Sequence, residues 1–479
     1  MGKGSKITIE LSEDGGQPVF INLASSIIRD IERGRLKPGD ALPGTRSLAK
    51  SLKLNRNTVD AAYQELTLQG WLVAKPSRGT FVADDLSESK PSYGKRHIRA
   101  PADSGASEAT TRPLLHLSDG LPDPRIMPGV ELARAFRRAL ISPSFLSGSG
   151  YGDPRGSIAL RTSLADYLMQ ERGLTAAPEN VLVTRGSQMA LFLAAGAVLE
   201  PGQAIAVEEP GYPLAWSAFR AAGARVIGVP VGAQGLDVEH LARLAEREPA
   251  LKAVYLTPHH QYPTTVTLGA GRRLRLLQIA RQHGLAILED DYDHECRFEG
   301  RPVLPLAARA DPELSVVYVG SLSKLLAPAV RIGYAVAKPA LLERMADHRE
   351  AIDRQGDLPL EQALANLIDD GELRRHARKA RRIYKARRDF LAVELDQQLG
   401  EAVSFDIPAG GLAIWLRLGD DLSAETWAGK AAQAGLAVAP GTRFVLDTAI
   451  APEAFRVGYA SLDDTDLRRA VTLLRQTRP

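Results

Sequence analysis

The stretch VVYVGSLSKLLAPAVRIGY, Val316 to Tyr334, decides the fold. Its first four residues form an apolar run of strand type that stops at Gly320. Ser321, Ser323 and Lys324 follow at the strand's carboxyl end, and Arg331 lies seven residues beyond Lys324. Ligands in open α/β sheets sit beyond the carboxyl ends of the strands. A lysine held there between hydroxyls can form a Schiff base with an aldehyde cofactor. A single strand-end lysine is more often merely solvated, so its surroundings carry the argument.

Working outward, similar short apolar runs occur at Val181–Thr184, Ala204–Val207, Arg225–Val229, Ala253–Leu256, Leu285–Leu288 and Gly333–Ala337. Helical patterns separate several of them, such as Gln188–Leu199 and Leu274–His283. This alternation predicts a mainly parallel, seven-stranded sheet with helices on both faces. After Val181–Thr184 comes Arg185-Gly186-Ser187-Gln188, a glycine turn opening a helix, which suits a phosphate. After Leu285–Leu288 come Glu289, Asp290, Asp291, Tyr292 and Asp293. These four acids could bind a divalent metal, or could set one carboxylate against a pyridinium nitrogen.

The amino-terminal segment has a different pattern. Val19–Arg33 is amphipathic, and LPGTRSLAKSL (Leu42–Leu52) reads as a short helix capped by Gly44 or Thr45. Lys53-Leu54-Asn55 makes a tight turn into a second helix from Arg56. LVAKPSRGTFV (Leu72–Val82) then reads as two strands around a basic tip. Helix, turn, helix and hairpin in this order predict a winged helix-turn-helix. Met1–Ala83 carries 12 Lys/Arg against 8 Asp/Glu, a surplus that exceeds the whole chain's +3 and suits a polyanion.

The 479 residues exceed one ordinary core. Three regions follow: residues 1–83, the winged helix; 84–112, a polar, unpatterned linker containing Lys95, Arg96 and Arg99; and 113–479, the α/β domain. The single Cys296 excludes an intramolecular disulfide and is read as an inert thiol. The first residues lack a signal peptide's apolar stretch and no run spans a bilayer, so a cytoplasmic protein with no membrane partner is expected.

Three resemblances follow from these residues. GRLKPGDALPGTRSLAKSL, NRNTVDAAYQEL, GW and SRGTFV resemble the GntR family of winged-helix regulators. The resemblance implies that Arg46, Arg56, Asn57, Thr58, Arg78 and Gly79 contact double-stranded operator DNA. YGDPRGSIALR, RGSQMAL, EEPGYP, TPHHQYPT, LEDDYD, GSLSKLLAPAVRIGY, PAGGLAIW and FRVGYA resemble fold-type-I enzymes that use pyridoxal 5'-phosphate, the aminotransferase superfamily. That resemblance makes Lys324 the Schiff-base lysine, Asp290 the partner of the pyridine nitrogen, and Tyr292 the phenol at the ring 3-oxygen. It makes Tyr212 the ring's stacking partner and Ser187, Gln188, Ser321, Ser323 and Arg331 the phosphate cradle. Tyr151 would reach the phosphate of a partner subunit, which implies a homodimer. One stretch departs from the pattern. Where the family has Asn-Pro-x-Asn-Pro-Thr-Gly, this chain has TPHHQYPTT, so His260 or Gln261 stands for the asparagine and Thr265 for the final glycine. Together the two halves resemble the MocR subfamily of GntR regulators.

The resemblance implies a regulator that senses a small amine or amino acid through its cofactor, with the residues for a transaminase half-reaction retained. A metabolic aminotransferase with an accessory domain, or a regulator of vitamin B6 synthesis sensing pyridoxal phosphate itself, are the alternatives. Arg456 in FRVGYA resembles the arginine that grips a substrate carboxylate, and Arg443 is a second candidate anchor.

Overall fold

The computed structural model describes residues 19–68, 71–75, 78–83, 115–117, 120–147, 150–299, 304–311 and 313–479. The expected linker, with Lys95, Arg96 and Arg99, lies outside them. The chain divides into two compact units, one ending at Ala109 and the other beginning at Thr110.

In the first unit, α1 (Val19–Glu32), α2 (Thr45–Leu52) and α3 (Arg56–Leu68) precede a hairpin of β1 (Leu72–Lys75) and β2 (Gly79–Val82). Residues at helical spacing, Leu23 and Ile27 on α1 and Val59, Ala62 and Leu66 on α3, close a core with Leu48, Leu72 and Val82. The turn between α2 and α3 depends on Lys53, whose φ of 54° reverses the chain while its N–H reaches the carbonyl of Ala49. Gly44 precedes α2 without a side-chain cap. The Asn55 side chain accepts from the N–H of Asn57 (2.9 Å) and so shapes the start of α3. The hairpin pairs Leu72 with Val82 and Lys75 with Gly79, where φ is 108°.

The second unit opens with β3 (Leu115–His116). Its main sheet contains β4 (Val181–Thr184), β5 (Ala204–Glu209), β6 (Arg225–Gly232), β7 (Gly235–Leu236), β8 (Leu251–Leu256), β9 (Ala286–Asp291), β10 (Val316–Ser321) and β11 (Gly333–Val336). The order is β4-β11-β10-β9-β8-β5-β6-β7, with the five strands from β10 to β6 mutually parallel. All seven expected strands are present. The eighth, β7, is a two-residue antiparallel return after a turn, too short for any periodicity. Alternation along each strand splits the core. Leu288, Val317 and Val319 pack with helix Ser187–Val198, whereas Tyr318 packs with helix Ile158–Arg172.

A four-stranded antiparallel sheet follows, from β12 (Val403–Ser404), β13 (Ala413–Leu418), β15 (Ala439–Pro440) and β16 (Ala454–Gly458), while β14 (Leu436–Ala437) pairs with β3. Helices Glu372–Leu399 and Asp464–Thr477 cover it.

Candidate functional site

The carboxyl ends of β8, β9 and β10 converge on a cavity of about 490 Å³. It is lined by Ser187, Gln188, Tyr212, Asp290, Tyr292, Ser321, Ser323, Lys324 and Arg331, which the sequence singled out, and by Tyr255, Thr257 and Tyr262, which it did not. The strand-end rule applied to Ala253–Leu256 would have pointed at Tyr255 and Thr257.

The four acids after Leu288 do not converge on one point. Glu289 accepts the N–H groups of Leu306 (2.8 Å) and Ala307 (2.9 Å). Asp290 faces the cavity and accepts from the Tyr255 hydroxyl at 3.0 Å. Asp291 points to the other face, where Arg172 pairs with it at 2.5 Å and the Tyr318 hydroxyl donates at 2.8 Å. Asp293 contacts His260 Nδ1 at 2.8 Å. Among the described residues no group of three or more His, Cys, Asp or Glu is placed to hold a metal.

Burial pushes the Asp290 carboxyl up to about 7, with the charges of Asp291, Asp293 and Glu208 adding and the Tyr255 hydrogen bond opposing. Burial would raise Asp291 too, but the Arg172 guanidinium overrides it and holds that carboxyl well below the usual range. Asp290 Oδ1 is buried with no hydrogen-bond partner, as are Ser323 Oγ and Gln188 Oε1. Buried polar atoms are normally satisfied. Of the three lone atoms, Asp290 Oδ1 fits a ring N–H and the Ser323 hydroxyl fits an anionic group, the chemistry of pyridoxal phosphate, whereas Gln188 Oε1 is an acceptor that suits a donor.

The anionic end has a formed place. Helix Ser187–Val198 begins at the cavity after Gly186 (φ 85°), so its free N–H groups serve an anion there. A Cβ on Gly186 would meet the Arg331 guanidinium at 3.1 Å, and one on Gly333 would strike the Gly186–Ser187 backbone at 2.5–2.7 Å. Glycine is therefore required where strand, helix and arginine close together. Arg331 donates to the Arg185 carbonyl at 2.7 Å, which fixes it beside the turn. Lys324 Nζ lies 3.5 Å from the Gly120 carbonyl.

The remaining predicted residues lie elsewhere. His260 and Gln261 are buried but do not line the cavity. Gln261 donates to the carbonyls of Pro210 and Tyr262 and accepts from Thr264, so it braces its own loop. Thr265, standing for the family glycine, keeps a glycine-like φ of 64°. Tyr151 is 78% exposed, with Arg354 stacked on its ring at 5.0 Å. Arg443 is exposed in the turn Gly441–Phe444. Arg456, on β16, is 1% exposed. Its guanidinium stacks 4.2 Å from the Tyr262 ring centroid and donates to the Pro263 carbonyl at 2.9 Å, while its Nε is buried without a partner.

In the first unit Arg46, Arg56, Asn57, Arg78 and Gly79 are exposed and Thr58 is half-buried. Arg56, Asn57 and Thr58 form the first turn of α3, with Arg56 in a surface ion pair to Asp60 at 3.5 Å. Arg78 precedes β2 at the hairpin's tip.

Fold and sites together define a winged-helix reading head fused to an aminotransferase-type domain. Residues 22–82 match the family described as bacterial regulatory proteins, gntR family, and residues 129–474 match aminotransferase class I and II. The chain belongs to both families, and its pairing of the two is that of the MocR-type regulators of transcription. A probable rhizopine catabolism regulatory protein, MocR, from Rhizobium meliloti is 31% identical over 97% of this chain and 94% of its own length. A pyridoxine biosynthesis transcriptional regulator, PdxR, from Corynebacterium glutamicum is 33% identical over 77% of each. Among solved structures, an α-aminoadipate aminotransferase from Thermus thermophilus, complexed with N-(5'-phosphopyridoxyl)-L-leucine, superposes with a TM-score of 0.69. It is 30% identical and covers 76% of this chain and 92% of its own. No helix among the described residues is long and apolar enough to cross a membrane.

Proposed function

We propose that this regulator holds pyridoxal phosphate in its large unit and responds through it to a small amine or amino acid, altering its grip on operator DNA. The observation that carries the reading is the meeting of Lys324, Asp290, Tyr292, Tyr212 and a hydroxyl-and-arginine cradle around one cavity. Pyridoxal phosphate supplies an amine-reactive aldehyde and an electron-withdrawing ring. Lys324 is the residue for the covalent link. Asp290 accepts the ring N–H through its lone Oδ1 and keeps that nitrogen protonated. Tyr292 bonds the 3-oxygen and Tyr212 covers a ring face. Ser187, Gln188, Ser321, Ser323 and Arg331 take the phosphate. The large exposure of Tyr151 supports its assignment to a partner's phosphate, so the working form is a homodimer. Arg46, Arg56, Asn57, Thr58, Arg78 and Gly79 face the DNA.

The effector carries a primary amine and an anionic end. Arg456 is the anchor favoured over exposed Arg443, because a buried guanidinium with an unpartnered Nε is relieved by an incoming carboxylate or sulfonate. Tyr262, stacked on Arg456 and lining the cavity, stands between them. The experiment is a titration of amines into the cofactor-loaded protein, read by visible absorbance and by operator affinity. Anionic amines should shift both in wild type and fail in Arg456→Ala. Steady turnover of amino donor and keto acid without any change in DNA affinity would instead favour a metabolic transaminase. The PdxR relative favours a second reading, in which pyridoxal phosphate itself is the signal. DNA affinity that follows the cofactor alone would support it.

A further inference from the structure

On the far side of β9 from the cofactor cavity lies a second cavity of about 330 Å³, a size that suits a small ligand. Five arginines line it: Arg172, Arg297, Arg374, Arg378 and Arg381. Two carboxylates face them, Glu171 and Glu295; with Asp291, which pairs with Arg172 from outside the lining, the excess is two positive charges.

Neither carboxylate quenches the cluster. Glu171 pairs with Arg374 at 3.0 Å. Glu295 is buried, lies 3.1 Å from His294 Nε2, and leaves its Oε2 without a hydrogen-bond partner. Arg381 donates to a backbone carbonyl, that of Glu295, at 3.2 Å. Nε and Nη1 of Arg297 are buried and have no hydrogen-bond partner. Arg172 is 4% exposed; it pairs with Asp291, yet its Nε is also without a partner. Burial and the charge of Arg172 both pull the pKa of Arg297 down, the sign of a guanidinium short of counter-charge. Converging guanidinium groups repel, and unpaired buried N–H donors are costly. A tetrahedral dianion satisfies both, because its oxygens accept paired N–H bonds from several arginine forks at once.

We infer that this arginine-lined cavity is a second ligand site, one that takes a small phosphorylated molecule on the face of the sheet opposite the cofactor cavity. It lies in the second unit and is independent of the cofactor assignment. Its ligand would touch Arg172, whose partner Asp291 is the sequence neighbour of Asp290.

Inorganic pyrophosphate is the probe, titrated calorimetrically into the full chain preloaded with pyridoxal phosphate, at constant ionic strength. Saturable binding of one pyrophosphate per chain is expected. The double variant Arg297→Gln/Arg381→Gln should weaken it at least about tenfold, the effect of losing roughly one charge-assisted pair. Arg297→Lys, which keeps the charge but not the fork, should fall between them. Arg331→Ala, in the cofactor cavity, should bind pyrophosphate at this site as wild type does. Circular dichroism confirms that each variant is folded. Absence of saturable binding in wild type overturns the proposal, and so does unchanged affinity in Arg297→Gln/Arg381→Gln. Loss of binding in Arg331→Ala alone would assign the anion to the cofactor cradle and equally overturn it.

Discussion

The two units hold their functional side chains in opposite ways. In the winged helix, Arg46, Arg56, Asn57 and Arg78 stand exposed on a core that does not use them. In the large unit, Asp290, Tyr292 and Ser321 are buried among the strands that form the sheet. Exposed groups meet a ligand from solvent and add little to folding. Buried groups cost folding energy until a ligand or partner compensates them. Asp290 and Asp291 show this within one strand. Asp291 has an arginine and stays charged, whereas Asp290 has only a tyrosine and holds its proton up to about pH 7. Substitutions in the large unit should therefore move stability and cofactor together, and those in the winged helix should move DNA binding alone.

The largest effect is expected at Lys324. Borohydride treatment of the loaded wild-type protein should trap cofactor on a peptide containing Lys324. In Lys324→Ala no cofactor should be trapped, although the cradle still retains some by its phosphate. Trapping on any other lysine would break the assignment. Next comes Arg172→Ala, which strands Asp291 in the interior. Breaking a buried pair by removing one partner costs about 3–5 kcal/mol. Urea unfolding would measure it, and a loss of less than about 1 kcal/mol would mean that water already reaches Asp291.

Asp290→Asn should act with the opposite sign in the absence of cofactor. An unfolded chain releases this proton near 3.8, but the folded protein keeps it to about 7. Between these values the folded state binds more protons, so its stability falls as pH rises and the penalty is complete above about pH 7. The cofactor-free variant should therefore exceed wild type by roughly 2–4 kcal/mol at about pH 8, with the gap closing by about pH 4. With cofactor present the order reverses, because asparagine cannot hold a negative charge against a protonated ring nitrogen. Urea denaturation at both pH values, with and without pyridoxal phosphate, reads all four terms. An offset independent of pH would trace the effect to packing.

These contrasts were partly legible in the chain. Seven strands carried apolar runs, and the strand-end rule led from them to Lys324, Asp290 and Ser187. Lys53-Leu54-Asn55 announced the turn between α2 and α3. Side-chain direction was less accessible. Nothing in TPHHQYPTT distinguishes a glutamine that bonds its own loop from one that faces a ligand, and Gln261 does the former. The motif FRVGYA singled out Arg456 but could not place it behind Tyr262, because that stacking joins β16 to a distant loop. The arginine cavity was hidden for the same reason. Arg172, Arg297 and Arg381 are separated along the chain and meet only when helix Glu372–Leu399 packs against the turn His294–Cys296 that follows β9.

The smallest effects on folding are expected in the winged helix, where they separate the two units most cleanly. Arg56 is exposed, and its ion pair to Asp60 lies on the surface at 3.5 Å. Exposed pairs contribute about 0–1 kcal/mol, and surface substitutions usually stay within about 0.5 kcal/mol. Arg56→Ala should therefore melt almost as wild type does and leave cofactor absorbance unchanged. In the proposed reading Arg56 opens the helix that enters the groove, so its loss should cost about 1–3 kcal/mol of discrimination between operator and mismatched DNA. Arg78→Ala, at the wing, would in the same reading remove a backbone contact instead. It should weaken binding to operator and random duplex alike and lower the slope of log affinity against log salt by about one. Fluorescence anisotropy with both duplexes across a salt series measures each quantity. If Arg56→Ala weakened both duplexes equally while Arg78→Ala relaxed discrimination, base reading would belong to the wing and not to α3. If either variant shifted the cofactor spectrum, the separation between an exposed reading surface and a buried sensing cavity would fail.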